Sequence, residues 1–171
     1  DTQLNKLQKR YKDIDKSDVD LVRERDRIRA EIILTRMSLA KSIYILAQTH
    51  EPGSPERKKL LLEAAKKYGE YYAKYDRWLI RFSFRMEEAR CYREAGEVDR
   101  AIDILEELAD MDPVEEEAVR RIRTAATLMQ MQTCLLATER RYGEAWRSYE
   151  HWRDNAQRPA ECVSEAAVIK C

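Results

Sequence analysis

Residues Phe82–Pro113 read FSFRMEEARCYREAGEVDRAIDILEELADMDP, and this stretch decides how the whole chain is read. Two small residues, Ala89 and Ala101, stand on either side of Gly96. At helical spacing they let two backbones cross closely. Tyr92 and Leu105 then fill the space beside that crossing. Gly96 supplies a backbone conformation that a side chain resists, and Pro113 closes the segment. The stretch predicts two helices joined by a tight turn.

The rest of the composition agrees. The 171 residues include only 4 Gly and 4 Pro, less than half the usual share of roughly 12%. An all-β chain needs a turn signal about every 8–12 residues, and eight turn-makers cannot supply it. Long elements remain, and in this Ala-, Leu-, Glu-, Arg- and Lys-rich chain they are helices. Apolar residues reach 44%, too much for a disordered tail. One domain over residues 1–171 is expected at this length.

Outward from the central pair, apolar spacing predicts further helices. Leu4, Leu7, Tyr11 and Ile14 mark an amphipathic helix over 1–16. Ser17 or Asp18 caps the next, which runs from Val19 to about Gln48. Pro52, Gly53 and Pro55 break the chain there. Ser54 caps a third helix with Pro55 at its first position. Asp76 caps a helix from Arg77 to Ala95, and Val98–Met111 follows. Helices over 114–140 and 143–156 come next, and Pro159 opens a last short one. The total is seven or eight helices with short connections, which pack antiparallel.

The Phe82–Pro113 segment resembles one tetratricopeptide repeat (TPR), a helix–turn–helix unit of 34 residues. Ala89, Tyr92, Gly96, Ala101, Leu105 and Pro113 match the family's repeat-defining places. Arg85 and Glu88 depart from it, because they stand where the family has tryptophan and leucine. Tyr142-Gly-Glu-Ala145 repeats Val98-Asp-Arg-Ala101, and Tyr149 repeats Leu105, at a spacing of 44. Arg36 to Ala40 mirrors Arg85 to Ala89, and Ala64 with Tyr68 mirrors Ala101 with Leu105. The expected organisation is an N-terminal helical extension (1–27), a degenerate repeat (28–76), the best-matching repeat (77–113), an irregular repeat (114–156) and a truncated C-terminal helix (157–171). The resemblance implies a TPR-like α-solenoid of antiparallel helix pairs of a bacterial type, found in the cytosol or beyond the inner membrane. The chain opens on Asp1 rather than Met, which is expected of a processed chain or a portion of a longer one.

The resemblance also implies a scaffold without catalysis, holding a protein or peptide partner on the concave face of the array. The matching positions are Ser83, Met86, Arg90 and Arg93, then Thr127, Gln130, Cys134 and Ala137. Met86, Arg90 and Gln130 stand where one branch of the family clamps a terminal carboxylate with Lys and Asn, so that clamp is not expected. Arg90 and Arg93 suit an acidic ligand, because a guanidinium grips a carboxylate with two parallel hydrogen bonds. The alternative is an assembly segment that self-associates or joins a larger array through its N-terminal helix.

Other patterns narrow the function. Lys+Arg and Asp+Glu are 32 each, so the chain has no basic excess for nucleic acid. No run of 18 apolar residues predicts a membrane span. Arg77, Arg81 and Arg85 form a basic stripe, and residues 103–117 hold eight acidic residues and no basic one. Tyr68, Tyr71, Tyr72 and Tyr75, with Trp78, read chiefly as packing between helix pairs. The chain lacks GxSxG, P-loop and HExxH patterns. Neither His50 nor His151 follows a Glu by three residues, as di-iron bundles require. No cofactor or metal is expected. Cys91 and Cys134 read as buried thiols, with a Cys162–Cys171 disulfide as the minor alternative for the tail.

Overall fold

The computed structural model describes residues 2–13, 19–112, 117–137 and 141–154. These form seven α-helices and no strand: α1 (Thr2–Asp13), α2 (Val19–Gln48), α3 (Pro55–Lys74), α4 (Ile80–Glu94), α5 (Val98–Ala109), α6 (Glu117–Leu136) and α7 (Tyr142–Asp154). The helix expected from Pro159, the 157–171 segment, Cys162, Cys171, Pro113, Ile14 and the caps at Ser17 or Asp18 lie outside the described residues. No described helix is long and apolar enough to cross a membrane.

Each helix packs on its neighbours in sequence, and α4 also meets α6. Side-chain contacts fix the directions. Ala47 at the end of α2, Leu61 at the start of α3 and Ala95 just after α4 share one cluster. Tyr75, just past the end of α3, stacks on Phe84 near the start of α4 at 5.7 Å. So α3 runs against both α2 and α4. Arg85, early in α4, pairs with Glu107, late in α5. Thr124, early in α6, accepts from Trp152 of α7 at 3.2 Å. Consecutive helices are antiparallel.

The first core lies between α2, α3 and α4. It contains Ala40, Ala64, Ala65, Tyr68 and Phe84. Tyr71 meets Phe84 edge-on at 5.5 Å. The tyrosine row is therefore spent on packing. The second core joins α4, α5 and α6 through Ala89, Leu105, Leu108, Ala126 and Met129. A full burial such as that of Phe84 or Leu105 contributes about 1.5–3 kcal/mol. A third cluster joins Ile102 of α5, Met131 and Cys134 of α6, and Ala145 of α7, with Tyr149 against it.

α1 lies against the chain's own α2. Leu7 packs with Ile28 and Ile32, flanked by Leu4 and Tyr11. Arg29 donates to the Tyr11 hydroxyl at 2.6 Å. The apolar side of α1 is thus occupied within the molecule.

Local signals explain most boundaries. Ser54 Oγ accepts from the Arg57 amide at 3.3 Å, with Pro55 opening α3. Gly53 and Gly96 take positive φ, 81° and 79°, in the two connections that needed them. The start of α4 differs from the expected Asp76 cap. The bonds Trp78 N–H to Tyr75 O and Arg81 N–H to Trp78 O tighten the chain into i→i+3 turns first. Asp76 uses its carbonyl to accept from Arg81 instead, and α4 begins at Ile80 with no side-chain cap.

Candidate interaction surfaces

The faces of α4 are divided among its neighbours. Phe84, Glu88 and Cys91 are buried on the α3 side. Arg85 reaches α5 through Glu107. Met86 and Ala89 meet the α5–α6 core. Glu94 turns to α2 and accepts from Tyr44 and Gln48, each at 2.8 Å. Burial of Tyr44, with the Glu94 hydrogen bond beside it, pushes its hydroxyl pKa up to about 12. What remains is a strip of half-exposed residues between the α2 and α6 sides: Ser83, Glu87, Arg90 and Arg93.

Arg90 pairs with Glu87 one turn away at 3.1 Å. Both groups are half-exposed, and pairs that water still reaches contribute under about 1 kcal/mol. A ligand carboxylate can therefore replace Glu87 at little cost. Arg93 makes no side-chain ion pair among the described residues. The basic stripe is otherwise occupied. Arg81 lies over Tyr72 and Phe82, and Arg85 lies over Tyr72 and pairs with Glu88 and Glu107. Arg77 is exposed.

Three of the expected partner-binding positions thus share the open side of α4, Ser83, Arg90 and Arg93, while Met86 packs against the α5–α6 core. Thr127 and Gln130 do not join them. They are 3% and 4% exposed and lie on the buried side of α6, and Cys134 is buried in the third cluster. The connection between α4 and α5 has three residues (95–97), whereas five (137–141) join α6 to α7. Carrying the α4 positions forward by the 44-residue spacing between Ala101 and Ala145 ignores those two extra residues. Two residues are about 200° on a helix, which turns the expected face inward. The outward positions of α6 are Ala125, Leu128, Gln132 and Leu135. The signal that finds them is the longer connection itself.

Glu88 occupies the α3 side of α4 at 6% exposure. Gly69 of α3 faces it: a Cβ there would stand 2.9 Å from Glu88 Oε1. Arg85 Nη1 donates to Glu88 Oε2 at 2.8 Å, and Glu107 also holds Arg85. Burial raises the Glu88 pKa above the ordinary carboxylate value, with Arg85 opposing. Glu107 is lowered: burial works against this, but the Tyr72 and Arg85 hydrogen bonds outweigh it. Arg36 of α2, 7% exposed, is held without a carboxylate among the described residues. It donates to the Tyr75 hydroxyl and lies over Tyr71 and Tyr75.

A second opening lies between α5 and α7, about 500 Å³ in volume. Asp103 and Glu106 line it from α5 and Asp110 from just past its end, Arg147 and His151 from α7, and Gln130 from α6. Among the described residues no group of three or more His, Cys, Asp or Glu side chains could hold a metal ion. His50 is half-exposed after the end of α2, and His151 Nε2 lies 2.9 Å from Asp110. No family model matches the chain, and comparisons with curated proteins and with solved structures return no match either.

Proposed function

We propose that this chain is a TPR-like α-solenoid that binds a segment of a protein partner and performs no chemistry. In this reading α2/α3, α4/α5 and α6/α7 are three helix pairs, and α1 is an extension laid on the first. The antiparallel packing of neighbours and the contact of α4 with α6 support it. So do the small residues Ala40 with Ala64 in one core and Ala89 in the next. The observation that carries the function is the open strip of α4. Neighbouring helices meet its other faces, and it presents Arg90 and Arg93 with one half-exposed ion pair between them among the described residues, that of Arg90 with Glu87.

The partner segment lies along Ser83, Arg90 and Arg93, at the edge of Met86, and continues over Ala125, Leu128 and Gln132 of α6. Its chemistry at α4 is acidic, because two guanidinium groups are offered there. The binding free energy comes from a pre-formed rigid surface that loses little entropy on docking. A pulldown with the immobilised chain tests this. Arg90→Glu with Arg93→Glu is expected to release the partner while leaving the helical circular dichroism unchanged. Retention of every partner by that variant contradicts the assignment.

A further inference from the structure

Gln130 of α6 lines the groove between α5 and α7. Gln130 is 4% exposed, yet its side-chain amide has no hydrogen-bond partner among the described residues. The buried, unpartnered side-chain polar atoms among the described residues are Arg25 Nε and Arg120 Nε, so the Gln130 amide is open to water from the groove and free to exchange it for a ligand. Here the amide borders the open groove. Above it on α5, Asp103 and Glu106 are exposed carboxylates without an ion pair among the described residues. The remaining charges at the groove are mostly engaged. Arg141 pairs with Asp99 at 2.6 Å and Glu144 at 3.5 Å, and Asp110 lies 2.9 Å from His151. Five carboxylates line the groove against two guanidinium groups, those of Arg141 and Arg147.

We propose that this groove binds an extended, lysine- or arginine-bearing segment of a protein partner. The cationic side chains meet Asp103 and Glu106. Gln130 pairs the main chain, because its amide donates and accepts at once, as a peptide bond does. A polyamine satisfies the carboxylates alone and has no carbonyl for the Gln130 N–H. Arg147 at the α7 rim repels a misplaced cation and sets the register. Gln130 lies on the buried side of α6, away from Ala125, Leu128 and Gln132. The groove is therefore a second surface, and its occupancy does not depend on the α4 strip.

The test uses the full chain and a fluorescein-labelled nonapeptide of alternating Lys and Ala, with a Glu/Ala peptide of equal length as control. Fluorescence anisotropy at low salt is expected to show binding of the Lys peptide only. Asp103→Lys with Glu106→Lys is expected to weaken it at least tenfold, and Arg90→Glu with Arg93→Glu to leave it within twofold. Equal binding of the Glu peptide, or unchanged binding by the Asp103/Glu106 variant, overturns the proposal. In the ¹⁵N-labelled chain the Gln130 side-chain amide resonance is expected to move with the Lys peptide and to stay in place with spermidine. An amide that ignores the peptide, or that moves equally with spermidine, also overturns it.

Discussion

Glu88 of α4 rests against Gly69 of α3, so closely that a Cβ at Gly69 would come within 2.9 Å of Glu88 Oε1. Two oddities of the sequence explain each other here. A glycine inside a helix costs about 1 kcal/mol against alanine, and a carboxylate is buried at a helix crossing. The glycine makes room for the carboxylate, and Arg85 holds it at 2.8 Å. Gly69→Ala is therefore expected to lose its usual helix gain and to lower stability. In a Glu88→Ala background the same change is expected to stabilise by up to about 1 kcal/mol. Urea unfolding of the four proteins measures the coupling. Additive effects would show that the two sites do not touch.

The raised Glu88 pKa has a definite sign in stability. The folded chain takes up this proton at a higher pH than the unfolded chain does, so Glu88 adds stability as pH falls. That contribution is complete below the unfolded carboxylate value and is lost as pH rises through the folded one. Glu107, lowered by its partners despite burial, behaves oppositely: its contribution is present at neutral pH and lost in acid. Relative to Glu88→Gln, the parent chain is expected to gain stability between pH 7 and about 4.5. Denaturant midpoints at each pH check this, and a difference that does not change with pH contradicts it.

Gly96 and Gly143 separate conformation from space. Neither has a neighbour within 4 Å of an added Cβ, but only Gly96 has positive φ. Gly96→Ala is expected to cost about 1–2 kcal/mol. Gly143→Ala, inside α7, is expected to be neutral or to stabilise by up to about 1 kcal/mol. Thermal melts of the two variants, moving in opposite directions or with Gly96→Ala alone falling, decide the point.

Cys91 and Cys134 are both buried. Burial, reinforced by Glu87, pushes the Cys91 thiol up to about 12, and burial raises Cys134 as well. Little thiolate exists at pH 8, and thiolate is the reactive form. Iodoacetamide is expected to spare both in the native chain and label both in urea, as read by peptide mass spectrometry. Rapid native labelling of Cys91 would place it outside the core.

The helices and most of their ends were legible because local chemistry sets them. Ser54 and Pro55 start α3, Gly96 turns the chain into α5, and the row from Tyr68 to Tyr75 packs as its spacing predicts. The start of α4 was not legible, since i→i+3 bonds between Tyr75 and Arg81 override the Asp76 signal. On α4 the expected positions Ser83, Arg90 and Arg93 are half-exposed, while Met86 packs against the α5–α6 core. On α6, Thr127 and Gln130 are buried instead, because the two extra residues after it rotate the register. The α5–α7 groove joins residues from three helices, and no linear spacing announces it.

Site-specific photo-crosslinking tests the central claim most directly. A benzophenone side chain is placed at Ser83, on the open strip of α4, or at Glu63, an exposed position of α3. In the cells that make this chain, Ser83 is expected to yield a discrete adduct that Arg90→Glu with Arg93→Glu abolishes, and Glu63 is expected to yield none. Equal adducts from both positions, or no adduct from Ser83, would contradict a partner-binding role for this strip.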